Sequence, residues 1–135
     1  MNKKKLLSGV LFFLIIIEIL ISAFLIFQPS NASVFCATGS SCGDVQSSSY
    51  GYILGIKLSY IGLFSFIALL SLFILSSKKE IFRFWYLLAC LLGAFLAAYL
   101  IFIQLFVLNQ ICSNCLIIDS IMILIFIISI MGPKR

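Results

Sequence analysis

Apolar residues in this chain fall in long continuous runs, unlike the alternation of a half-buried strand or the single stripe of a surface helix. The first run covers residues 6–27 and carries one charge, Glu18. Between 28 and 57 the pattern breaks, and Pro29, Ser30, Asn31, Gly39, Ser40, Ser41, Gly43 and Asp44 make a polar, turn-rich connection. A second apolar run, 58–75, ends in Ser76, Ser77, Lys78, Lys79, Glu80 and Arg83, a compact basic turn. Beyond Arg83 no charge occurs until Asp119, a stretch that would extend about 50 Å as helix, too long for one crossing. The polar pair Asn109 and Gln110 divides it, which predicts a third helix at about 84–108 and a fourth at about 111–131. A crossing takes roughly 20 apolar residues. The pattern therefore predicts an all-α membrane protein with one domain over 1–135, a four-transmembrane-helix bundle with an outer-face loop between helices 1 and 2.

Composition supports the bilayer. Of 135 residues 64% are hydrophobic and 10% charged, too few to cover a soluble globule, and no stretch is left for a separate soluble domain. A basic start, an apolar core and the small residues at 30–33 loosely imitate a signal peptide. The apolar stretch is longer than a usual signal core of about 7–15 residues, so it reads as a retained span. The net charge of +5 does not point to nucleic acid, because the basic residues sit in small clusters between apolar runs. Those clusters set topology instead. Lys3 to Lys5, the turn with Lys78, Lys79 and Arg83, and the tail of Lys134 and Arg135 all fall on one side of an even-numbered bundle, and basic segments stay inside. Both termini are expected in the cytoplasm of a multi-pass protein of the plasma membrane, and the 28–57 loop and the Asn109 turn outside.

The chain holds five cysteines and no histidine, which removes the commonest general base and metal ligand and leaves thiol chemistry. Cys36 and Cys42 lie in the outer loop, and Cys112 and Cys115 at the mouth of the fourth helix. Cys90, mid-span among leucines and alanine, behaves as a small apolar residue. The spacing of Cys112 and Cys115 near a helix start puts both sulfurs on one face, close enough for a disulfide, beside backbone amides that favour a thiolate. An inert disulfide there would close a very short loop for little gain. Four thiolates could also bind zinc or copper. A loop pair beside a helix-mounted pair suggests a relay, since thiolate attack on a neighbouring disulfide moves two electrons with no other cofactor. A non-catalytic protein, binding metal through thiolates or stapled by disulfides, is the alternative.

The residues that carry these features resemble the vitamin K epoxide reductase family, membrane enzymes that couple disulfide formation to quinone reduction. The loop from Cys36 to Cys42, with Ser48 six residues later, looks like the family's paired loop cysteines and serine. Gly55, Ile56 and Gly62 resemble its entry to the second span. Tyr99, Leu100 and Phe106 to Leu108, followed by Cys112, Ser113, Asn114 and Cys115, are similar to its third-helix end and CxxC motif. The other four-span quinone-linked family, disulfide bond protein B, has its CxxC in the first outer loop, the reverse of the order here. The resemblance implies that Cys36 receives electrons from a partner's dithiol and that Cys42 passes them on through a transient bond to Cys112. It places Cys115 against a quinone, ubiquinone or menaquinone, as electron acceptor, and lets Ser48 hydrogen-bond the loop or quinone region, with Ser47 and Ser49 as near neighbours. Prokaryotic relatives often carry a fused thioredoxin-like domain, so a separate thioredoxin-fold protein on the outer face is the expected partner. Vitamin K epoxide is a substrate of vertebrate members and is not carried over.

This chain also departs from the family pattern. Lys57 stands where prokaryotic relatives often have proline. Asp119, one turn past Cys115 and on its face, stands where vertebrate enzymes have a tyrosine near the quinone. A carboxyl in such an apolar setting could hold a proton and give it to the reduced quinone, or serve as polar packing alone, and ionised it would oppose a Cys115 thiolate. Glu18 and Gln104 are costly in lipid and are expected to face the bundle interior.

Overall fold

A computed structural model describes residues 2–27, 49–109 and 111–132. Inside a bilayer no water satisfies the backbone, so an apolar chain must close its own hydrogen bonds as helix. Four helices do so here: α1 (Lys3–Phe27), α2 (Leu58–Ser76), α3 (Glu80–Phe102) and α4 (Ser113–Met131). All four are long and apolar enough to cross a membrane, the third when extended through Val107. The chain is thus the four-helix membrane bundle its pattern predicts.

The third helix starts earlier than the apolar pattern suggests, because Glu80 and Arg83 join its first turn. An acidic side chain there is favoured by the helix's positive end. Its α-helical hydrogen bonding also stops earlier, at Phe102, and the chain continues as a π turn over Ile103–Val107. Asn109 then takes φ 48°, a left-handed conformation that asparagine tolerates better than most residues, and the helical path ends.

A small hairpin unforeseen in the sequence leads into α2. Strands β1 (Tyr52–Ile53) and β2 (Ile56–Lys57) pair antiparallel, Tyr52 opposite Lys57 and Ile53 opposite Ile56. The two-residue turn between them has positive φ at both positions, 55° at Leu54 and 82° at Gly55. Two-residue hairpins prefer this conformation because it matches the strand twist, and glycine supplies one of the two angles without steric cost.

The helices pack in a closed ring in which α1 touches α2 and α4, and α3 touches α2 and α4. Tyr86 meets Ser129 near one end of the α3–α4 seam, and Gln104 meets Cys112 near the other, so these two helices run antiparallel. Leu11 and Ile15 of α1, Phe66 and Leu69 of α2, Tyr86, Cys90 and Ala97 of α3, and Met122 and Ile125 of α4 fill the axis. Gly93 brings α3 close to α4, since a Cβ there would run into the end of the Met122 side chain. Large apolar side chains such as Phe13, Phe64, Phe95 and Ile130 point outward, as lipid-facing residues do. Ser129 donates its hydroxyl proton to the Ile125 carbonyl at 2.6 Å, so the 2.9 Å contact with Tyr86 is donated by the tyrosine.

Candidate functional site

The π turn, the Asn109 break and the start of α4 together build the end of the bundle that holds the CxxC motif. Cys112 is the N-cap of α4, with extended backbone (φ −90°, ψ 105°), and its sulfur accepts the Cys115 backbone N–H at 3.4 Å. Serine, threonine or aspartate commonly caps a helix in this way. Here sulfur takes that place, at the positive end of the helix, where negative charge is favoured. The Cys112 backbone N–H donates to the Gln104 side-chain oxygen at 3.3 Å, so the π turn is tied directly to the motif. Such turns often re-aim side chains at functional sites.

The two sulfurs are within hydrogen-bonding reach of each other but occupy different surroundings. Cys112 is fully buried against Leu108 and Cys115. Cys115 is partly exposed and lines a cavity of about 480 Å³ to which all four helices and the hairpin contribute. That volume lies within the roughly 300–1,000 Å³ of ordinary ligand sites. Its wall is mostly apolar, with Phe66, Leu69, Ala97, Leu100 and Ile118 contributing. Polar groups are few: Tyr50 and Lys57 from the hairpin region, Ser22 of α1, Ser59 and Ser65 of α2, Gln104, and Asp119. Such a lining suits an apolar ligand that carries a few polar atoms.

Asp119 lies in the cavity wall, one turn beyond Cys115, and is 7% exposed. Glu18 is completely buried, and Gln104 nearly so, both inside the bundle as expected. Cys90 is buried in the central core, away from the cavity wall. Cys36, Cys42 and Ser48 lie outside the described residues.

Sequence reasoning did not single out Ser22, Tyr50 or Lys57 as cavity residues. Ser22 carried a usable signal, since it falls one helical turn after Glu18 and so shares its inward face. Tyr50 and Lys57 carried none, because their positions depend on a hairpin too short to read from the sequence.

A family model described as the vitamin K epoxide reductase family matches residues 6–130, nearly the whole chain. A search of curated proteins finds no match.

Proposed function

Because the chain belongs to the vitamin K epoxide reductase family and is by that membership a membrane thiol oxidoreductase, we propose that it oxidises a thioredoxin-fold partner and passes the electrons to a membrane quinone. The observation that carries this reading is the position of Cys115, whose side chain borders the apolar cavity while Cys112 is buried behind it. A quinone in the cavity would meet one sulfur only.

In the proposed cycle a partner thiolate attacks the Cys36–Cys42 disulfide at Cys36, and Cys42 leaves as a thiolate. Cys42 then attacks Cys112 in the Cys112–Cys115 disulfide, which releases Cys115 as a thiolate facing the cavity. The partner's second thiolate attacks its own mixed-disulfide sulfur, which forms the partner disulfide and frees Cys36. Attack of Cys36 on the Cys42 sulfur then restores the loop disulfide and frees Cys112. Closing the Cys112–Cys115 bond delivers two electrons to the quinone, and two protons follow to give the quinol. The net reaction converts a partner dithiol and a quinone into a partner disulfide and a quinol. Ser48 is assigned to the quinone or loop region by its place after Cys42, and Asp119 to the quinone site by its place in the wall. The chemistry belongs on the outer face, with both termini in the cytoplasm, because outer compartments support stable disulfides.

Purified protein, a reduced thioredoxin-fold dithiol and a ubiquinone or menaquinone analogue test the reading. Quinol formation should fall to background in Cys115→Ala. In Cys36→Ala a Cys42–Cys112 disulfide should accumulate, because nothing resolves it. Turnover that survives Cys115→Ala would overturn the assignment.

A further inference from the structure

Two acidic side chains inside the bundle have no evident structural use. Glu18 of α1 is wholly buried, and neither carboxyl oxygen has a hydrogen-bond partner among the described residues. Asp119 of α4 is more than nine-tenths buried in the cavity wall, and its Oδ2 is likewise unpartnered. The two helices pack together, and Glu18 lies within electrostatic reach of Asp119. Asp119 in turn is within electrostatic reach of Cys115.

No cation neutralises them from within the described part of the bundle. Lys4 and Arg83 border a small pocket at the far end, with Ser129 and Gly132, and Lys78 and Lys79 precede α3 at that same end. Lys57 stands in the cavity wall on the residue before α2. The other titratable groups on the cavity wall or packed inside are Tyr50 from the hairpin region, Tyr86 and Cys90 on α3, and Cys112 and Cys115 at the head of α4. Two unpaired carboxylates in such a medium would be very costly, and a bound proton removes one charge and supplies a donor for an orphaned oxygen. A metal ion would need more oxygen or sulfur ligands than two carboxyls provide.

We propose that Glu18 and Asp119 form a proton-holding pair across the α1–α4 seam, with Asp119 the proton donor to quinone reduced at Cys115 and Glu18 the positioning residue that keeps Asp119 charged with a proton. The inference rests on the quinone reading above. Its balance is closed: two electrons come from the two thiols, the Asp119 carboxyl gives a proton to one quinone oxygen, one thiol proton passes to the other oxygen, and the second thiol proton returns to the pair as the Cys112–Cys115 disulfide forms. The carboxyls end as they began. Quinone would thereby be protonated inside the cavity by the protein's own carboxyl.

The first measurement needs no quinone. Infrared spectra of the purified protein at neutral pH, in water and in deuterium oxide, should show a protonated carboxyl band that is isotope-sensitive and disappears in Glu18→Gln/Asp119→Asn. Absence of the band, or its survival in the double variant, overturns the pair. The second measurement mixes pre-reduced protein with a quinone analogue and follows quinol formation in a single turnover. Loss of a general acid slows such steps about 10²–10⁴-fold, so Asp119→Asn should fall in that range, with Glu18→Gln slowed about tenfold and Asp119→Glu recovering much of the rate. Circular dichroism and the thermal unfolding midpoint of each variant in detergent report intact folding. If Asp119→Glu is as slow as Asp119→Asn, the carboxyl is packing only and the proposal fails. If wild type shows the band but reduces no quinone, the quinone reading fails and the donor role fails with it.

Discussion

At the scale of single residues the site depends on groups whose partners lie far away in sequence or at the wrong depth for their polarity. Gln104 is the clearest case, a buried amide that accepts the Cys112 N–H at the start of α4. Replacing it with leucine keeps the volume and strands that N–H in an apolar setting, at a cost of about 1–3 kcal/mol. Thermal unfolding of Gln104→Leu in detergent should show the loss as a lower midpoint, and an unchanged midpoint would mean that the bond contributes nothing. Glu18 and Gln104 were legible as inward-facing because polarity is expensive within an apolar run. The cysteine pair was legible from spacing. Spacing alone does not say which sulfur meets the cavity; the family resemblance pointed to Cys115, and the N-cap turns Cys112 inward and leaves Cys115 on the wall.

Among the elements, long helices could be read from the sequence and short irregular ones could not. The runs that became α1 and α2 announce themselves by length alone. The π turn at Ile103–Val107 does not, since its residues are ordinary for a helix and only the hydrogen-bond pattern differs. The hairpin before α2 escaped notice for a related reason, having two residues per strand and Leu54–Gly55 in place of the usual asparagine–glycine. Its last residue bears on the family comparison. Lys57 has φ −57° and ψ 134°, a conformation proline adopts freely, and Ile56 before it is in a strand, as a residue preceding proline prefers. Lys57→Pro should therefore be accepted, with stability equal or raised by about 0.4–1 kcal/mol through a less flexible unfolded chain. A marked fall in the unfolding midpoint would show that the Lys57 amide or side chain holds the entry to α2.

Viewed as a whole, the molecule is a ring of four helices with an apolar cavity, the CxxC cysteines at one end and basic clusters at the other. Charge distribution sets which end faces which compartment, so the proposed orientation can be checked without any enzymology. In intact cells a membrane-impermeant probe should label a cysteine placed at Asn109 and leave one placed at Ser77 unlabelled until the membrane is opened. The opposite pattern would reverse the topology. The ring closes where the first helix meets the last, and this has a consequence for biosynthesis. A chain emerging from the ribosome inserts α1 long before α4 is made, so Glu18 waits in the bilayer without the neighbour it will share, and Cys112 and Cys115 arrive only at the end. Under the proposed function a chain cut short before α4 lacks one wall of the cavity and both CxxC cysteines, so it should pass no electrons to a quinone.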